Sequence, residues 1–177
     1  MFSQSHILMC PPDFFGIEYE INPWMNRQRQ ADHGLAIEQW CRLHETLTSL
    51  GATVSLLEPV PGLPDLVFTA NAALIYQDQA ILSRFRHPQR QGEEAHNESW
   101  FAAHRFHIQR LTDTMYFEGA GDALFCGDNL FAGYRIRSDA RSLQHVGKLL
   151  DVEYFLWSWS IRITIISTPA SARFRPR

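Results

Sequence analysis

The chain has 177 residues, of which 45% are hydrophobic and 20% charged, with a formal net charge of -3. That is the size of one ordinary domain able to bury a core, without the polybasic footprint of a nucleic-acid or anionic-lipid binder or an apolar run long enough to span a bilayer. Cys10, Cys41 and Cys126 lie far apart with no CxxC pair, so neither a disulfide framework nor a zinc site is expected, and a reducing cytoplasm is the expected location.

In chain order, "MFSQSHILMCPPD" lacks the positive start of a signal peptide, and its "HILMC" reads as a short buried strand stopped by Pro11 and Pro12. "DFFGIEYEINPWM" reads as an aromatic-rich loop or edge segment. From Ala31 to Leu50 the apolar residues Ala36, Trp40, Leu43, Leu47 and Leu50 recur at helical spacing, and Gly51 follows where a helix-ending glycine belongs. "ATVSLLE" predicts a strand, closed by "PVPGLP".

"DLVFT", "AALIY" and "AILSRF" predict three strands, the last two joined by the turn "QDQ", and a helical stretch follows from about Gly92 to His104. The order returns in "DALFC", the turn "GDN", "LFAGY" and a helix with Ser138 as its N-cap, running to Leu150. Ala73 matches Ala123, Leu74 matches Leu124 and Asp78 matches Asp128 at a constant spacing of 50 residues. A repeat of this length predicts modules set side by side or around an axis. Cys126 in "ALFCG" reads as a small core residue, and Cys10 and Cys41 read the same way.

Three polar clusters stand at the ends of these elements. "PDLVFTANAAL" carries Asp65 and Asn71, "SRFRHPQRQGEE" carries Arg84, Arg86 and Arg90, and "FEGAGDALF" sets Gly119 and Gly121 around Glu118 and Asp122. Glycines let the backbone come close to a small ligand. Carboxylates facing arginines suit a zwitterion bearing both a cation and a carboxylate. Each cluster also has an ordinary structural reading, as turn chemistry or solvated loop arginines. No His, Cys or carboxylate group shows metal-ligand spacing, and no cofactor is expected.

"MCPPDFFGIEYEINPWM", "PDLVFTANAAL", "RHPQRQGEE" and "FEGAGDALF...FAGYRIRSD" resemble the guanidine-modifying family of dimethylargininases, arginine dihydrolases and deiminases, and amidinotransferases. The resemblance runs from about Met9 to Leu150. It implies an α/β fold, the pentein propeller of ββαβ modules, of which this chain holds about three of five, with residues 1–153 the partial propeller domain. It also implies a covalent mechanism in which a Cys thiolate attacks the guanidinium carbon, a His moves protons and carboxylates hold the guanidinium. By position, Glu118 resembles the carboxylate that touches both substrate and His. Asp65 and Asn71 resemble guanidinium-side positions, and Arg90 and Arg137 the pair that holds the substrate α-carboxylate. Asp122 resembles a backbone-positioning or ligand-touching acid. Ala70 and Asn71 stand where dimethylargininases carry two acids, which places "FTAN" nearer the arginine-dihydrolase branch.

The family's catalytic His and Cys have no counterpart here: none of His6, His33, His44, His87, His96, His104, His107 and His145 falls in the family's His-Leu-Asp-Thr motif. The stretch "WSWSIRITIISTPASA" can nevertheless encode Leu-Glu-Leu-Val-Asp-Pro-Tyr-Tyr-Tyr-His-Leu-Asp-Thr-Cys-Phe-Cys when its codons are read from the last base of the preceding one. A frameshift just before Trp157 is therefore expected, with residues 154–177 an out-of-frame tail. Three functions remain: a hydrolase or amidinotransferase acting on arginine or a derivative such as dimethylarginine, an inactive remnant that binds arginine-like ligands, or a structural fragment. The expected partner is a small molecule, with self-association through exposed module edges and with neither nucleic acid nor membrane.

Overall fold

The computed structural model describes residues 5–112 and 114–158. Strand β1 (His6–Met9) leads through the long loop to helix α1 (His33–Ser49) and strand β2 (Thr53–Leu56), which pairs parallel with β1. Asp32 caps α1 by accepting from the Leu35 amide at 3.0 Å, and Gly51, at φ +85°, closes its far end. The predicted apolar stripe of α1 is only half covered. Ala36, Trp40 and Leu47 are partly buried, whereas Leu43 and Leu50 are 52% and 79% exposed, because the helix packs on a sheet of two short strands.

Two units of one design follow. Strands β3 (Ala73–Tyr76) and β4 (Gln79–Leu82) form a hairpin, helices α2 (Pro88–Gln91) and α3 (Glu93–Ala103) cross over, and β5 (His107–Gln109) adds parallel to β4. Then β6 (Ala123–Cys126) and β7 (Asn129–Tyr134) form a hairpin, α4 (Ala140–Leu150) crosses over, and β8 (Tyr154–Ser158) adds parallel to β7. The repeat at 50 residues is thus a repeated ββαβ module. The boundary expected at residue 153 falls just before β8, so Tyr154–Ser158 belong with the third sheet, and residues 159–177 of the expected tail lie outside the described residues.

Each hairpin buries one face under its own helix. Ala73, Ala80 and Leu82 pack with Phe101 of α3, and Ala123, Leu130 and Ala132 pack with Leu143, Val146 and Leu150 of α4. The opposite faces differ. Leu74 and Ile81 are 2% and 0% exposed because the last module covers them, while their counterparts Leu124 and Phe131 are 63% and 46% exposed. Cys126 shares that uncovered face by strand alternation, and it is exposed, not a core residue. Cys41 is exposed on α1, also against expectation, and Cys10 is buried.

"DLVFT" is not a strand. Residues Pro64–Val67 and Thr69–Asn71 form two successive 3-10 turns, held by the Phe68 amide to the Asp65 carbonyl at 3.0 Å and the Asn71 amide to the Phe68 carbonyl at 2.8 Å. Pro64 at the first position presets the turn, and Leu66 is buried with Cys10 and Leu57, so the apolar run reflects burial without a sheet ladder. Helix α4 is capped at Asp139, not Ser138.

Candidate active site

The two 3-10 turns place Asp65 and Asn71, α2 places Arg90, the turn before β6 places Glu118 and Asp122, and the β7–α4 turn places Arg137. All six line one cavity of about 550 Å³, together with His87 and the apolar side chains of Phe15, Ile17 and Phe68. Glu118 is held across the module boundary by a two-way backbone pair at the preceding residue. The Arg84 amide donates to the Phe117 carbonyl at 2.8 Å, and the Phe117 amide donates back at 3.0 Å.

Arg90 is 4% exposed and surrounded by acids. Its Nε and Nη2 donate to the two carboxylate oxygens of Glu93 at 2.8 Å each. Its Nε also lies 3.7 Å from Asp65 and its Nη1 3.7 Å from Glu118. Burial alone lowers the Arg90 pKa, but the hydrogen bonds and charge of Glu93, with Asp65 and Glu118, outweigh it and keep the guanidinium charged. Glu93 was not singled out in the sequence. Its signal was the i, i+3 spacing from Arg90, which in a helical stretch puts the two on one face.

Glu118 is 1% exposed. Its Oε2 accepts from Asn71 Nδ2 at 3.4 Å and lies 3.4 Å from Arg137 Nη1, whereas its Oε1 is buried with no hydrogen-bond partner among the described residues. Burial pushes its pKa up, Arg137 and Arg90 pull it back, and Asp122 and Glu93 add to the rise. Arg137, partly exposed, also pairs with Asp122 and donates to the Gly121 carbonyl at 3.0 Å. Arg86 faces away from the cavity. Its Nε donates to the Arg137 carbonyl at 3.2 Å, it pairs with Asp139, and it stacks over Tyr116, so it clamps the turn that carries Arg137. Arg84 pairs with Glu94 at 3.0 Å.

Burial, then the charges of Arg86, Arg90 and Arg137, push the His87 pKa down and keep its imidazole neutral. Among the described residues the cavity is lined by three acids, Asp65, Glu118 and Asp122, and by two arginines, Arg90 and Arg137, the first of which is also held from behind by Glu93. The carboxylate excess and an unpartnered buried carboxylate oxygen suit a cation with several N–H donors. None of the three cysteines lines this cavity. Burial, then Asp13 and Glu93, push the Cys10 thiol up to about 12. Among the described residues no group of His, Cys, Asp and Glu is arranged to hold a metal ion, and no helix is long and apolar enough to cross a membrane.

No family model matches the chain. It is 45% identical over 150 residues to the bifunctional arginine dihydrolase/ornithine cyclodeaminase ArgZ of Synechocystis, covering 83% of this chain and 21% of that protein. It is 41% identical over 142 residues to the dimethylarginine dimethylaminohydrolase of Mycobacterium tuberculosis, covering 80% of this chain and 46% of the relative. The chain belongs to the guanidine-modifying superfamily. The substrate-bound structure of the ArgZ N-terminal domain superposes with a TM-score of 0.82 at 44% identity, over 86% of this chain and 57% of that one. A dimethylarginine dimethylaminohydrolase adduct, at 21% identity and a TM-score of 0.75, shares the fold. The architecture is accordingly part of a pentein α/β propeller, and the chain spans about half the length of that Mycobacterium tuberculosis relative and of the ArgZ N-terminal domain.

Proposed function

We propose that the cavity holds a small guanidino zwitterion of the arginine class and that the chain is the substrate-holding part of a hydrolase acting on it. Glu118, Asp65 and Asn71 receive the guanidinium, while the buried Arg90 and the partly exposed Arg137 receive the α-carboxylate; Asp122 steers Arg137. The observation that carries this reading is the buried, unpartnered Oε1 of Glu118 inside a carboxylate-rich cavity. A planar guanidinium offers paired donors to such an oxygen and balances the excess charge. In the family's chemistry the carboxylates keep that group cationic and fixed while a thiolate attacks its carbon.

At position 71 the neutral amide holds the guanidinium less firmly than a carboxylate and lets a second hydrolytic step compete, as in an arginine dihydrolase. Asn71→Asp in an intact relative tests this: the ammonia released per ornithine or citrulline changes, and an unchanged ratio removes the argument. A second reading, binding without turnover by the 177-residue chain, is favoured by the absence of any cysteine from the cavity lining. Incubation with L-arginine and with dimethylarginine separates the readings. Ligand-raised melting without citrulline, ornithine or ammonia supports binding alone, product formation supports catalysis, and no melting shift with either ligand overturns both.

A further inference from the structure

Ser138 is fully buried, yet it is neither a helix cap nor a core filler. Its hydroxyl accepts from the Glu118 amide at 3.0 Å and donates to Asp122 Oδ2 at 2.7 Å. The polarity is forced: the amide only donates, the carboxylate only accepts, and the hydroxyl has one proton. Asp122 is thereby turned so that its Oδ1 meets Arg137 Nη2, and Arg137 Nη1 reaches Glu118 Oε2 at 3.4 Å. The contacts close a ring from the Glu118 backbone through Ser138, Asp122 and Arg137 to the Glu118 carboxylate. Arg137 is shared between two acids at the cavity mouth.

We propose that Ser138 is a positioning residue for the anion end of the cavity: by orienting Asp122 it stops that acid from taking both Arg137 nitrogens and keeps Nη1 turned toward Glu118 and an incoming carboxylate. This rests on the arginine reading for its ligand, while the ring itself does not depend on it. Without the hydroxyl, Asp122 Oδ2 loses its donor and the nearest replacement is the Arg137 fork, a bidentate arrangement that carboxylates favour. Arg137 is then withdrawn from the ligand, while on the guanidinium side Asp65 keeps Arg90 and Glu118 keeps Asn71 and Arg90.

The test compares wild type with Ser138→Ala on L-arginine and on agmatine, which carries the same guanidinium without a carboxylate, by titration calorimetry. L-arginine affinity falls about tenfold or more, the scale of one charge-assisted hydrogen bond, and agmatine affinity stays within about twofold. Equal losses for the two ligands, or none, overturn the proposal. A ligand-free readout runs beside it: phenylglyoxal modification of Arg137, followed by peptide mass spectrometry, changes rate in the variant. An unchanged rate overturns the proposal whatever the ligands do. Wild type that binds neither ligand overturns the arginine reading instead, and the modification rate then decides the role of Ser138. Ser138→Cys, close in shape but with only a weak S–H donor, reproduces both patterns and serves where Ser138→Ala does not fold.

Discussion

Asn71 and Gly121 are packed so closely that a Cβ on the glycine would lie 2.1 Å from the asparagine amide nitrogen. That nitrogen is the group that donates to Glu118, at 3.4 Å to its carboxylate. Gly121 thus keeps the place in which Asn71 and Glu118 meet.

Gly121→Ala displaces the end of a side chain that can rotate, so the cost falls on the site more than on the fold. Arginine binding weakens at least tenfold while the unfolding free energy from urea melts falls by only about 1 kcal/mol or less. Gly119→Ala behaves in the opposite way. Its φ is +55°, and its Cβ would lie 2.8 Å from the Ala73 backbone carbon, so both strain and overpacking add, about 2–4 kcal/mol together. Denaturant melts of the two variants distinguish them.

Glu118 is a buried acid whose folded pKa is raised, first by burial. The cost of its ionised form is therefore present above the folded pKa and vanishes as pH falls below the ordinary carboxylate value. Glu118→Gln is more stable than wild type at neutral pH, and the gap closes on acidification below about pH 4. Arginine binding runs the other way, weakening as pH falls through the raised value and absent in the variant. A series of thermal melts with and without ligand measures both; a gap that is independent of pH contradicts the assignment.

Arg90 is the counter-ion of three buried acids. Arg90→Met leaves Asp65, Glu93 and Glu118 without it and costs about 3–5 kcal/mol, read as an early unfolding midpoint. Arg90→Lys keeps a charge but loses the two-pronged contact with Glu93 and costs less, about 1–3 kcal/mol.

The uncovered face of the third sheet carries Leu124, Phe131, Phe155 and Trp157, at 63%, 46%, 44% and 75% exposure. An apolar face of this kind drives association. The chain elutes larger than a monomer in size-exclusion chromatography at high concentration, and Phe131→Ser with Phe155→Ser shifts it toward the monomer without loss of the helical circular dichroism signal. A wild-type chain that stays a cooperatively melting monomer removes the prediction.

Sequencing the gene across the codons for residues 150–177 checks the expected frameshift. A shifted continuation encoding the His-Leu-Asp-Thr motif and a later cysteine supports it, and an uninterrupted frame without one ends it.

The modular plan was legible because hairpin turns, helix periodicity and the 50-residue match are local or repetitive signals, written in adjacent residues. Of the six residues that line the cavity, Asp65, Asn71, Arg90, Glu118 and Asp122 stand in polar clusters of the sequence, and Arg137 is reached only through the family resemblance. What tertiary structure decided was how they are spent. Arg86 looked like a ligand-facing cation beside Arg90 and instead clamps the Arg137 turn. Ser138 looked like a helix cap and instead links Glu118 to Asp122. Glu93, passed over, holds Arg90. "DLVFT" looked like a strand because burial and strand pairing leave the same apolar mark, and only the backbone hydrogen bonds separate them. The sequence by itself determined the module and its repetition, through short-range preferences; which charge meets which partner was left to the packing of one module on the next, where contacts between residues 47 and 51 positions apart decide it.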